Sequence, residues 1–162
     1  MKILLSLGLL TFSLSIAAQQ PNWASLLDTI EAAFSEDNPE VSKQIYLYQR
    51  CSAQQLAMAW VLQEADENLA ATFDQTASTL AQAAAITRVA LATERTGSPQ
   101  DVAEISNSVL QTVTALLEQY QSWLNNNYLL NGSYLENDAD LQLELEICTR
   151  AAQLAATLMD EQ

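Results

Sequence analysis

Four residues carry the most chemistry in this 162-residue sequence: Cys51 and Cys148, with Arg50 and Arg150 beside them. Two cysteines in an exported chain predict a disulfide; two independent thiols, one of them reactive, are the alternative. No histidine exists to activate a thiolate, which discounts the reactive reading. If the cysteines pair, the guanidiniums of Arg50 and Arg150 approach one region, where like charges require acids or an anion. Internal ion pairs with some of the 20 acidic side chains are one outcome, and an anion or carboxylate ligand held by both arginines is the other.

The acids offer a second set of chemistries. Glu64, Asp66 and Glu67 form one cluster, Asn137, Asp138 and Asp140 another, with Glu144 and Glu146 following. Oxygen ligands of this kind could hold Ca²⁺, and Asn127, Asn131, Gly132 and Asp138 fall at calcium-loop spacing. Leu129 occupies a ligand position, however, and no glutamate closes the loop, so no metal site is assigned. Diiron bundles require Glu-x-x-His pairs, which this sequence cannot form. Paired carboxylates could hydrolyse glycosides, but acids spread along exposed helix faces select no pair. The absence of histidine also removes Ser-His-Asp catalysis, and three glycines leave little for phosphate loops. A formal charge of −14 argues against nucleic acid as a partner. The reading is a non-enzyme with no cofactor, carrying a solvated acidic surface.

These residues must be positioned by helices. Residues 1–18 have the order of a signal peptide: Lys2, an apolar run over 3–16, then small residues that predict cleavage after Ala17 or Ala18. The run is shorter than the ~20 residues of a bilayer span, no second candidate follows, and no cysteine marks a lipid attachment site. The expectation is a periplasmic or secreted protein with no membrane span after cleavage. Residues 19–162 then form a single domain.

Trp23, Leu26, Leu27, Ile30 and Phe34 make a one-faced helical stripe capped by Asn22. Asn38 and Pro39 predict the start of a second helix, whose stripe runs Val41, Ile45, Tyr48, Cys51, Ser52, Leu56, Ala59 and Leu62. No glycine or proline interrupts 40–96, leaving open one kinked helix or two, and the polar residues 64–68 are the best break. A third helix carries Phe73, Ala77, Leu80, Ala84 and Leu91, with small residues at 81–85 that admit a close neighbour, and ends at Gly97. Ser98-Pro99-Gln100-Asp101 reads as a capping box, with Ser98 as cap and Pro99 first in the helix. The stripe from Val102 to Leu124 follows, and Asn125–Asn127 and Asn131–Ser133 bracket a short connection. Asn137 caps a last helix bearing Leu141, Leu145, Cys148, Ala152, Ala155 and Met159. No strand pattern occurs. The fold class is all-α, a compact four- to five-helix bundle closed by one disulfide, with the second and last helices as neighbours.

Tyr46, Ala53 and Trp60 lie seven apart on the side of the second helix opposite its cysteine. A helix apolar on both sides is either central in a bundle or offers a surface to a partner. The segment 45–53, with its Tyr-x-Arg-Cys-Ser-Ala run at 48–53 and the distant Cys148, resembles a group of small exported bacterial proteins with no assigned activity. That resemblance implies a helix, export and a disulfide, and carries no site. The functional expectation is an exported, non-catalytic binding protein that meets an envelope or extracellular protein through Tyr46, Ala53 and Trp60. The rival is a carrier of a small apolar ligand, held between the alanine-rich third helix and its neighbours. A carboxylate-based cation binder or enzyme stands last.

Overall fold

The computed structural model describes residues 25–35, 37 and 39–160; the signal-peptide reading, Asn22, Trp23 and the Asn38 cap lie outside them. Five helices follow one another, with no strand among the described residues: α1 Leu26–Ala33, α2 Val41–Leu62, α3 Glu67–Thr96, α4 Val102–Asn131 and α5 Ala139–Asp160. None is long and apolar enough to cross a membrane.

The helix ends show why the chain divides where it does. The Ser25 hydroxyl accepts from Asp28 N–H to open α1. The uninterrupted stretch 40–96 is two helices, broken after Leu62, and the Asp66 carboxylate opens α3 by accepting from Leu69 N–H at 3.0 Å. Gly97 and Gly132 close α3 and α4 at φ 66° and 74°, the left-handed conformation glycine adopts without strain.

Four boundaries differ from the sequence expectation. Pro39 stands before α2, because the Glu40 N–H donates to the Ala32 carbonyl at the end of α1 and leaves Glu40 extended. Asp101, not Ser98, caps α4: its carboxylate accepts from both Ala103 and Glu104 N–H, and Pro99 lies in the turn. The asparagines at 125–127 do not interrupt α4, which runs on to Asn131. Asn127 is buried and donates to the carbonyls of Tyr134 and Glu136, so it holds the following turn instead of ending the helix. Asn137, at φ 63°, precedes the cap of α5, which is Asp138.

Helix α2 is the centre of the bundle. It packs against α1, α3, α4 and α5, and every residue from Leu47 to Gln55 is buried. That is the burial expected of a helix enclosed on all sides. Helices α4 and α5 each pack on both α2 and α3, without close backbone approach to one another. The α2–α3 contact is tight because alanines 77, 83 and 84 are buried in α3, and the Ser52 hydroxyl donates to the Ala77 carbonyl at 2.8 Å. The Cys51–Cys148 disulfide joins α2 to α5 with Cα atoms 5.0 Å apart, and both cysteines are fully buried. It spans 97 residues, for which loop-closure entropy gives about 4–5 kcal/mol.

Candidate functional site

The arginine beside the α2 cysteine heads the fully buried side chains by volume, at 1% exposed. It enters the core because α2 is enclosed, and it arrives with partners. Its Nε donates to the Tyr120 hydroxyl of α4 at 3.2 Å, and its Nη2 forms an ion pair with Glu144 of α5. The Tyr120 hydroxyl in turn donates to the other oxygen of Glu144. No buried side-chain nitrogen or oxygen among the described residues lacks a partner. Helices α4 and α5, which do not approach one another closely, are thus tied to each other and to α2 through one guanidinium, one phenol and one carboxylate. Stacked on Tyr120 is Trp123, whose indole N–H donates to Asp138 at 2.8 Å.

Electrostatics follow the burial. Burial pushes the Glu144 carboxyl above its ordinary value, and Arg50 and Tyr120 pull it back without cancelling that rise. For Arg50, burial favours the neutral form, but Tyr120 and Glu144 outweigh it and leave the guanidinium above its usual range. Burial, then the Glu144 charge, hold the Tyr120 phenol well above its ordinary value. The cluster is a closed polar core that holds helices together.

This geometry corrects the two-arginine anion contact. Arg50 is committed to Glu144 and Tyr120 inside the bundle, while Arg150 is exposed, so the structure does not bring them together at one open site. The Tyr46, Ala53 and Trp60 surface is also not continuous. Ala53 is 0% exposed, Tyr46 is half-buried against the core, and only Trp60 is open, at 41%. The central position of α2 puts Ala53 under its neighbours. The calcium-spaced residues have other tasks: Asn127 serves loop carbonyls, and Asp138 accepts from Leu141 N–H and Trp123. Glu64, Asp66 and Glu67 are exposed at the α2–α3 turn.

The open feature of greatest chemical interest is a groove of about 370 Å³ where α3 and α4 flank α2. Its floor is the alanine ladder Ala77, Ala81 and Ala85 of α3 together with Ser52 and Leu56 of α2. Its opposite wall is Val109, Leu110 and Val113 of α4. Small side chains four apart on α3 leave the volume that larger ones would fill. Polar groups sit among them sparsely, as Asp74, Ser78, Gln82 and Ser106, with no lysine or arginine. A second cleft between α3 and α5, of about 360 Å³, is lined by more polar groups, including Gln55, Thr72, Thr76, Thr149 and Gln153.

No family model, curated protein or solved structure matches this chain. The geometry alone must therefore carry the functional argument. The small residues at 81–85 were the visible signal for the groove. The polar core gave a fainter one, an acid at Glu144 on the apolar face four residues before Cys148.

Proposed function

We propose that this chain is an exported, non-catalytic binding protein whose binding element is the groove of α2, α3 and α4, and that its ligand is a small, neutral, apolar molecule. The observation that carries the reading is the groove's lining. It combines alanine, valine and leucine walls with a few uncharged hydrogen-bonding groups, in a volume of about 370 Å³. Ligand sites of roughly 300–1,000 Å³ with that balance are the common pattern. Asp74 is the charged residue among the lining groups, which disfavours an anionic ligand and leaves a neutral one as the best fit.

Export is part of the proposal. The order of residues 1–18 supports it, and a fully buried disulfide suits an oxidising compartment. Several acids and a phenol have structural tasks: Glu144 and Tyr120 serve the core, and Asp66, Asp101 and Asp138 serve helix ends.

The test is titration of residues 19–162, disulfide intact, with a neutral apolar dye such as Nile red. We expect saturable binding, and Ala81→Phe to weaken it at least about tenfold by filling the groove while the melting temperature stays near that of the parent. Leu129→Ala, sixteen residues along α4 from Val113 of the groove lining, is expected to bind as the parent does. Equal binding by Ala81→Phe would reject the groove as the site.

A further inference from the structure

The second cleft, between α3 and α5, differs in kind from the groove. Leu69, Thr72, Phe73 and Thr76 line it from α3 at offsets 0, 3, 4 and 7, the spacing of one helix face. Thr149, Ala152, Gln153 and Ala156 line it from α5 at the same offsets. None of these residues lines the groove. From α2 comes Gln55 alone, 3% exposed, at the floor.

The amide at the floor is only half used. Gln55 Nε2 donates to Gln54 Oε1 at 3.0 Å, whereas Gln55 Oε1 accepts from no group among the described residues. No buried side-chain oxygen among the described residues lacks a partner, so this oxygen is not sealed in the core. It reaches the opening that its side chain lines. A carbonyl held this deep without a donor departs from the usual pairing of buried polar groups, and it faces a space where a ligand's donor fits.

The other polar groups share the bias. Thr72, Thr76 and Thr149 each donate their one hydroxyl proton to the carbonyl four residues back, those of Asn68, Thr72 and Leu145. What they have left to offer is lone pairs. A cleft rich in acceptors selects a ligand rich in donors. Ammonium and guanidinium groups are donors too, but the lining holds no carboxylate to offset their charge. Hydroxyl groups are neutral donors and carry no such requirement. The apolar part of the lining, the Phe73 ring with Leu69 and Ala152, calls for C–H surface beside those hydroxyls. A sugar ring has both.

We propose that the α3–α5 cleft is a second binding site, that its ligand is a neutral saccharide, and that Gln55 Oε1 is the acceptor that fixes it. The inference does not rest on the apolar-ligand reading, because the residues and the ligand chemistry are both different.

Amide-shift titration of residues 19–162, disulfide intact, with glucose, galactose, N-acetylglucosamine and maltose tests this. We expect at least one sugar to give saturable shifts at Gln55, Phe73, Thr76 and Gln153. Gln55→Leu, which removes the acceptor, is expected to weaken that binding about tenfold. Gln55 is buried, so a second variant keeps the test independent of the fold. Ala156→Trp, at an exposed position on the cleft rim, should block the sugar at least as strongly while keeping the parent's melting temperature. Ala81→Phe in the groove should bind the sugar as the parent does, and Ala156→Trp should bind the dye as the parent does, so the two sites stand or fail separately. No saturable shift with any of the four sugars overturns the proposal. So do shifts centred on the groove, or undiminished binding by either cleft variant. Tighter binding of ethanolamine than of every sugar overturns it in favour of a cationic ligand.

Discussion

Burying Arg50 is costly, and what offsets the cost is the geometry around it. A guanidinium stripped of water is tolerable when its donors meet a carboxylate and a phenol oxygen, and Glu144 and Tyr120 supply them from two other helices. Such a triad constrains more than it stabilises, because any shift of α2, α4 or α5 leaves a buried charge without its partner. Removing one member should therefore be severe: Glu144→Ala, which leaves the Arg50 guanidinium without its acceptor, is expected to lose about 3–5 kcal/mol at pH 7 in urea unfolding. The pH dependence adds a sign. Burial leaves the folded-state Glu144 carboxyl above its ordinary 4.5, so the native state binds that proton more readily than the unfolded chain does. Its contribution is fully present below the unfolded value and is lost as pH rises through the folded one. The stability gap between parent and Glu144→Ala should accordingly widen as pH falls from 7 toward 4.5. A gap that narrows would mean that Arg50 and Tyr120, rather than burial, control the carboxyl.

At the scale of elements, aspartates do most of the punctuation. Asp66, Asp101 and Asp138 each accept backbone N–H groups that the first turn of a helix leaves free, and each also favours the positive end of the helix dipole. Asp138 has a second role, since its other oxygen accepts from Trp123 and fixes the start of α5 to the end of α4. Asp138→Ala should cost about 2–3 kcal/mol in thermal or urea unfolding, the sum of a lost cap and an orphaned indole N–H. Asp138→Asn, which keeps an oxygen for the cap, should lose less. A cost for Asp138→Ala below about 0.5 kcal/mol would show that neither bond matters to α5. The existence and order of the helices were legible from apolar periodicity, and so was the glycine stop at 97. The misplaced boundaries have a common physical origin. Local patterns at Ser98–Asp101 and at Asn125–Asn127 offered plausible caps or breaks, but the positions were decided by bonds to distant or following residues. The site was legible to a similar degree. The alanines of α3 marked the groove, whereas a phenol on α4 meeting a carboxylate on α5 beneath α2 needed the folded chain to become visible.

At the scale of the whole molecule, one helix enclosed by four others explains the division between core and surface. Enclosure turns Ala53 inward and commits Arg50 to the core, and it leaves Trp60 at the open end of α2. The buried disulfide and the polar triad both tie α2 to α5, while α3 and α4 meet α2 across the alanine-lined groove. The groove proposed as the binding site is thereby separate from the α2–α5 link made by the disulfide. The cleft between α3 and α5 is a third region, lined by residues that the groove does not share. Amide chemical-shift mapping of the isotopically labelled protein during titration with the neutral dye tests the central claim most directly. The account predicts shifts concentrated at Ala77, Ala81, Ala85, Val109 and Val113, with residues around Leu129 and Tyr134 unmoved. Shifts centred on Leu129 and Tyr134, or no shifts at saturating dye, would contradict it.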